Sequence, residues 1–325
     1  MIYRELGQSG IKVSAVGLGT WAIGGTWWGG TESNDSIAAL QAGLDEGINL
    51  IDTAPVYGLG LAEEIVGQAI KGRDRDSVVI ATKVGLVWDT TEGQFFFESA
   101  GKRVLRNLKP HSIRQEVEQS LKRLDVDYID LYQTHWQDPK TPIADTMEEL
   151  IKLKNEGKIR AIGVSNADVF QMGQYLDVGQ IDSNQPLYNM LDRAIEDEDL
   201  PFCIEHNIAV LTYSSLALGL LTGKMTPGRE FGPGDFRSTN PRFSYEPVVK
   251  INTMMEQFAP IREKYGLNQT QLTVAWTANR PGVTSALVGV RNPDQARDIA
   301  PGGRVEIAPE DLEAMDRIIS EMAPA

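Results

Sequence analysis

Short, almost continuously apolar runs rich in β-branched residues alternate along the chain with longer amphipathic stretches. Such runs are typical of strands that are buried on both faces. They predict strands at residues 15–18, 49–52, 78–83, 128–134, 159–165, 181–185, 209–214 and 285–290. The amphipathic stretches predict helices at 36–45, 62–70, 112–124, 147–156 and 201–207. Ser112 and Gln115 have the spacing of a capping box, which predicts that a helix begins at Ser112.

Strand–helix alternation repeated eight times predicts a parallel sheet, and eight units favour a closed (β/α)8 TIM barrel of the α/β class. The length of 325 residues would also allow two domains. No Pro/Gly/Ser-rich linker divides the chain, so we expect a single domain over residues 1–325. Apolar runs at 3–6 and 11–13 flank the turn 7–10 and predict an N-terminal β-hairpin that covers one end of the barrel.

Two connections, 86–108 and 223–246, are longer than barrel loops need to be. Each follows a predicted strand, so each should lie at the carboxyl end of the barrel, where barrel enzymes carry their active sites. Long connections in this position are typical of functional lids.

The composition of the chain argues against several classes of binding partner and metal site. The chain has 31 basic and 45 acidic residues and a formal charge of −14, which argues against nucleic-acid and anionic-membrane partners. Cys203 is the single cysteine, which excludes an internal disulfide and a cysteine-based metal cluster, and the histidines lack the spacing of a zinc site. There is no apolar run of about 18 residues and no signal-peptide core, so we expect a cytoplasmic protein.

Polar side chains end the predicted strands one after another, and they should therefore converge on one mouth of the barrel. They are Asp52, Lys83, His135, Ser165, Asn166, Gln185, Tyr213, Ser214 and Ser215. A single polar strand end means little, but a series of them indicates a functional site.

Tyr57 lies in the loop after Asp52 and could reach this mouth. The charge of Lys83 would lower the pKa of Tyr57, with Asp52 holding Lys83, so that the phenol could donate or accept a proton near neutral pH. His135 could orient a carbonyl oxygen or share in the proton relay. The alternatives without a catalytic role are a structural ion pair of Asp52 and Lys83 and a core position for His135. The string GLGTWA at 17–22 matches a relaxed dinucleotide fingerprint, but glycines interrupt the helix that a Rossmann domain would need there.

With these residues the chain resembles the aldo-keto reductase superfamily, and within it the bacterial general-stress and inositol-operon-type reductases. The matching strings are GLGTWAIGG (17–25), IDTAPVYG (51–58), AEEIVGQAI (62–70), IATKVG (80–85), SLKRLDVDYIDLYQTHW (120–136) and GKIRAIGVSN (157–166). They occur in family order and cover nearly the whole chain.

The resemblance implies a barrel that binds NADP(H) and reduces an aldehyde or ketone, including sugar-like compounds, with Tyr57 as general acid. It implies a catalytic tetrad of Asp52, Tyr57, Lys83 and His135. The cofactor contacts that it implies are Gly19, Thr20, Trp21, Asp52, Ser165, Asn166, Gln185, Tyr213, Ser214, Ser215, Leu216, Leu218, Gly219, Lys224, Arg237, Gly289, Arg291 and Gln295. Arg291 and Arg237 would favour NADPH over NADH because a phosphate needs a cation. Ile299 stands where relatives often carry an asparagine that contacts the adenine.

The resemblance also places large aromatic residues around the substrate. The predicted substrate pocket consists of Trp21, Trp28, Tyr57, Trp88, His135 and Trp136. Two other functions remain open at this point. The same tetrad could oxidise a sugar or polyol, or the chain could be an NADP-binding regulatory module like the potassium-channel β subunits.

Overall fold

The computed structural model describes residues 1–324. Within them, eight parallel strands close into a barrel in which each pairs with the next in chain order and the last pairs again with the first. The strands are β3 (Val16–Gly19), β4 (Leu50–Asp52), β5 (Val79–Val84), β9 (Ile129–Thr134), β10 (Ile159–Ser165), β11 (Ser183–Gln185), β12 (Ala209–Thr212) and β13 (Val283–Gly289). The predicted barrel is confirmed.

Helices surround this barrel. They are α1 (Ser33–Asp45), α2 (Leu61–Ile70), α3 (Pro110–Leu124), α4 (Ile143–Asn155), α5 (Val169–Leu176), α6 (Asp199–Glu205), α7 (Tyr245–Glu256), α8 (Ala259–Tyr265), α9 (Gln269–Ala278), α10 (Pro293–Ile299) and α11 (Pro309–Met322). Among the helices of residues 1–324, none combines the length and the apolar character that crossing a membrane requires.

The predicted start of α3 is wrong. The helix begins at Pro110, whose fixed φ suits the first helical position, and its N-cap is Lys109. Ser112 therefore lies inside the first turn, where its hydroxyl donates to the Glu116 carboxylate at 3.2 Å instead of capping the helix.

The N-terminal strands β1 (Tyr3–Glu5) and β2 (Lys12–Ser14) form the predicted antiparallel hairpin. Leu6, Ile11 and Val13 are buried against barrel residues such as Leu50 and Val79. Those two barrel residues are the first of β4 and β5, so the hairpin closes the amino end of the barrel and leaves the carboxyl end open.

The connection 86–108 is a small antiparallel sheet, with β8 (Lys102–Arg106) between β6 (Leu86–Val87) and β7 (Gln94–Ser99). In β7 a bulge interrupts the pairing: Phe95 faces Leu105, Phe97 faces Val104, and Phe96 is the extra residue. Because the bulge breaks strict alternation, Phe96 and Phe97 both pack inward, whereas Phe95 is 46% exposed. The second long connection, 223–246, is mostly irregular, with short 3-10 turns before α7 begins at Tyr245.

Candidate active site

A buried lysine lies at the centre of the predicted tetrad. The Nζ of Lys83 in β5 donates to both carboxylate oxygens of Asp52, at 3.0 and 2.7 Å, and to the carbonyl of Thr53 at 3.0 Å. The same ammonium group lies 3.2 Å from the hydroxyl of Tyr57, and the ring of His135 lies 5.7 Å from the Tyr57 ring, centre to centre. The structure therefore brings the four predicted catalytic residues together.

Strand ends and one close backbone contact fix this arrangement. Asp52 ends β4, Lys83 is the second-last residue of β5, and His135 directly follows β9. Tyr57 is in the connection after β4, where Gly24 packs against its backbone. A Cβ at Gly24 would lie 2.6 Å from the Tyr57 carbonyl carbon, so a glycine is required for this contact.

The electrostatics of the site differ from the predicted ones in one respect. Burial raises the pKa of Tyr57 above its usual value, although the charge of Lys83 acts against this rise. The predicted lowering of that pKa is therefore wrong for the protein alone. Burial also opposes the charge on Lys83, but Asp52 and Tyr57 together raise its pKa, so the lysine is cationic. Burial, followed by the charge of Lys83, lowers the pKa of His135 well below its usual value, so its imidazole is neutral near pH 7.

A network of amides surrounds the tetrad. The side-chain amide of Gln185 donates to Asp52 Oδ1 at 2.7 Å. The backbone carbonyl of Gln185 accepts from the Ser165 hydroxyl at 2.8 Å. Asn166 donates to the His135 carbonyl at 3.2 Å and accepts from the Tyr213 hydroxyl at 2.9 Å. Four of the predicted cofactor residues thus belong to one hydrogen-bonded set beside the tetrad.

A cleft of about 700 Å³ opens at the carboxyl end of the barrel. The cleft extends across the mouth of the barrel. Residues that follow β9 and residues that follow β13 both line it, and these two strands lie on opposite sides of the barrel. Every predicted cofactor residue lines this cleft: Gly19, Thr20, Trp21, Asp52, Ser165, Asn166, Gln185, Tyr213, Ser214, Ser215, Leu216, Leu218, Gly219, Lys224, Arg237, Gly289, Arg291 and Gln295.

Most of the predicted substrate residues also line the cleft, namely Trp21, Trp28, Tyr57, His135 and Trp136. Trp88 does not. It follows β6 and lines a separate pocket of about 340 Å³ on the small sheet, and it packs against the same apolar cluster as Tyr57 and Trp136. Trp27, Phe96 and Phe97 line the cleft and were missed. The bulge that turns both phenylalanines inward leaves no mark in the hydrophobic pattern of the sequence.

One loop along the cleft, residues 214–219, has a strained backbone. Ser214, Ala217 and Leu218 have φ values of 62°, 45° and 59°, and Gly219 follows at 100°. A non-glycine residue in this region costs about 1–2 kcal/mol, and such residues cluster at ligand clamps. Around Gly289 the space is open, since the nearest atom to a Cβ built there is 4.0 Å away. An elongated cleft, a row of amide groups and a strained loop fit a nicotinamide dinucleotide.

The connection 223–246 reaches over this cleft. Its Phe236 N–H donates to the Trp27 carbonyl at 3.0 Å, and Asp235 pairs with Trp28 through an isolated β-bridge. The guanidinium of Arg237 stacks 4.9 Å from the centre of the Trp28 ring. Two segments that are distant in sequence thus meet above the site.

The three predicted cofactor cations differ in their partners. Lys224 pairs with Asp298 at 2.8 Å, and Arg237 pairs with Asp235 at 2.6 Å. Arg291 donates to the carbonyls of Trp28 and Gly30, at 3.3 and 2.7 Å. Among residues 1–324, no carboxylate lies within ion-pair distance of Arg291, and no three His, Cys, Asp or Glu side chains are placed to ligate a metal ion.

The chain belongs to the aldo/keto reductase family, whose model matches residues 15–320. It is 44% identical to aldo-keto reductase YhdN of Bacillus subtilis, over 91% of this chain and 86% of that protein. It is 42% identical to the NADH-specific methylglyoxal reductase of Escherichia coli, over 98% of each. Among solved structures, the glycerol dehydrogenase AKR11B4 of Gluconobacter oxydans superposes with a TM-score of 0.87 at 41% identity, covering 97% of this chain and 94% of that one. The predicted family is confirmed, and its members use nicotinamide cofactors.

Proposed function

We propose that this protein reduces an aldehyde or ketone to an alcohol with NADPH, with Tyr57 as the general acid. The observation that carries the proposal is the Lys83 ammonium, which is hydrogen-bonded to the Asp52 carboxylate on one side and to the Tyr57 hydroxyl on the other. This arrangement places a protonated phenol beside a fixed cation at the mouth of the barrel.

The cofactor, when bound, supplies the hydride to the carbonyl carbon. Tyr57 gives its proton to the carbonyl oxygen, and the charge of Lys83 stabilises the phenolate that results. Asp52 holds Lys83 in position. His135 is neutral, so one ring nitrogen carries a hydrogen that can be donated to the same oxygen.

Other residues of this chain would hold the dinucleotide. Ser165, Asn166 and Gln185 offer hydroxyl and amide groups for the nicotinamide carboxamide, and Tyr213 offers an aromatic face. The strained loop 214–219 offers backbone N–H groups for the pyrophosphate. Arg291 supports the choice of NADPH, because it forms no ion pair within residues 1–324 and can bind a phosphate.

A second candidate is the same chemistry run in the oxidative direction, with Tyr57 as base. It is favoured by the structural likeness to a protein titled glycerol dehydrogenase. Rates measured in both directions at the same pH, with carbonyl substrates and with polyols, would decide between them.

A third candidate is a regulatory role, since the chain is 33% identical to a probable voltage-gated potassium channel subunit beta of Arabidopsis thaliana over 92% of its length. A purely regulatory subunit would bind the dinucleotide without turning over any carbonyl compound. NADPH oxidation against a panel of sugars, small aldehydes and aromatic ketones tests this directly, and the assembled Tyr57–Lys83 contact favours turnover.

The central test is Tyr57→Phe, which removes the proton donor and keeps the ring. We expect turnover to be lost and NADPH binding, followed by tryptophan fluorescence, to be retained. Tyr128→Phe is the matched control, because the hydroxyl of Tyr128 contacts Asp76 on the exposed surface and Tyr128 does not line the cleft. Near-normal kcat in Tyr57→Phe would refute the mechanism.

A further inference from the structure

A carboxylate lies in the cleft beside the residues that would bind the adenosine half of the dinucleotide. Asp298 is in α10, one turn after Gln295, and Arg291 lies just before this helix; all three line the cleft. These residues follow β13, whereas His135 follows β9 on the opposite side of the barrel. If the nicotinamide lies at the tetrad, the far end of the cofactor must therefore lie near Asp298.

Asp298 is held in place from two sides. It accepts from the Lys224 ammonium at 2.8 Å and from the side-chain amide of Asn268 at 2.6 Å. Asn268 is itself fixed as the N-cap of α9, where its oxygen accepts from the Gln271 N–H. The side chain of Asp298 is 21% exposed, compared with 70% for Lys224, so the carboxylate is the more buried member of the pair.

This carboxylate has two effects on a ligand. It pairs with Lys224, as Asp235 pairs with Arg237, so that among the three predicted cofactor cations Arg291 is the one without an ion pair within residues 1–324. It also repels an added phosphate, whereas it can accept a hydrogen bond from a free ribose 2′-hydroxyl. An acidic residue beside the 2′ position of the adenosine ribose favours NAD(H), and an arginine in that place favours NADP(H). This protein has both, Asp298 and Arg291.

We propose that Asp298 is a specificity-determining residue that limits the preference of this protein for NADP(H) and allows NAD(H) to bind. Arg291 favours binding of the 2′-phosphate of NADP(H), and Asp298 favours binding of the 2′-hydroxyl of NAD(H). This inference rests on the proposed function, because it presumes a nicotinamide dinucleotide in the cleft.

The test is a binding measurement that needs no turnover. Quenching of the cleft tryptophans Trp21, Trp27 and Trp28 reports the Kd values for NADPH and NADH at low ionic strength. In Asp298→Asn we expect the ratio of the NADH Kd to the NADPH Kd to rise about fivefold, mainly because NADPH binds more tightly. The increase should shrink as salt is added, because charges near the surface are screened.

Asp311→Asn is the matched control. Asp311 also accepts from one lysine, Lys264, and from one neutral side chain, Tyr265, and its replacement changes the net charge equally. It does not line the cleft, so the Kd ratio should not change. The converse variant, Lys224→Gln, leaves Asp298 without its cation and should lower the ratio.

An unchanged ratio in Asp298→Asn, or an equal rise in Asp311→Asn, would overturn the assignment of Asp298 while leaving the proposed function intact. A wild-type protein that binds neither dinucleotide would overturn the proposed function, and the assignment of Asp298 would fail with it.

Discussion

Replacing Lys83 by methionine removes a charge from the interior while keeping the length of the side chain. The Lys83 side chain has no exposed surface, and that of Asp52 is 6% exposed. Lys83→Met would leave the Asp52 carboxylate buried without its cation, which typically costs 3–5 kcal/mol. Gln185 still donates to that carboxylate at 2.7 Å, so we expect a loss near the lower limit, about 3 kcal/mol.

The assay is urea unfolding of the wild type, Lys83→Met, Asp52→Asn and the double variant. A loss of about 3 kcal/mol is a large part of the 5–15 kcal/mol typical of folded domains and would shift the midpoint clearly. The double variant has neither charge, so it should be more stable than the sum of the two single losses implies. Turnover should be lost in all three variants.

An exposed ion pair provides the control. Lys264 lies 2.6 Å from Asp311, but its side chain is 53% exposed, so Lys264→Met should hardly change the unfolding midpoint. The reasoning is refuted if Lys83→Met costs less than about 1 kcal/mol, or if the losses of the single variants simply add in the double variant.

Three further predictions concern other parts of the molecule. Burial raises the pKa of Glu116 to about 8, so the wild type should lose stability relative to Glu116→Gln as the pH rises from about 5 to 8, by up to about 1.4 kcal/mol per pH unit. Thermal unfolding of both proteins at pH 5, 7 and 9 checks this, and parallel pH curves would contradict it. Arg291→Leu should weaken NADPH binding about tenfold and leave NADH binding nearly unchanged in the fluorescence titration, and equal weakening of both would count against its role. Phe97→Ala opens the wall that Phe97 forms with Trp27, 5.4 Å away centre to centre, so kcat/KM for aromatic aldehydes should fall more than kcat/KM for methylglyoxal.

The barrel and the tetrad could be predicted because their signals are local. Each barrel strand is a short apolar run, and β10 has the predicted bounds of 159 and 165. β12 ends at Thr212, before the predicted 214, because Ser214 has a positive φ that is incompatible with a strand. The polar residues at the strand ends converge simply because parallel strands end at one face of a barrel.

The parts that could not be predicted depend on contacts between distant segments. The salt bridge of Lys224 to Asp298 joins residues 74 positions apart, and nothing near Lys224 in the sequence indicates that its charge is cancelled. The sign of the Tyr57 pKa shift depends on the depth of burial, which the sequence does not display. The pocket that Trp88 lines is likewise set by strand pairing within the connection 86–108.

The bulge in β7 sets the shape of one wall of the cleft. Phe96 and Phe97 face the cleft together only because β7 carries one residue more than its partner strand requires. Deleting Phe96 would restore regular alternation and leave a single phenylalanine on that wall, while Asp52, Lys83 and His135 at the ends of β4, β5 and β9 would be untouched. A one-codon deletion would therefore reshape this wall of the cleft without displacing the tetrad, which makes the small sheet a starting point for engineering the proposed substrate range.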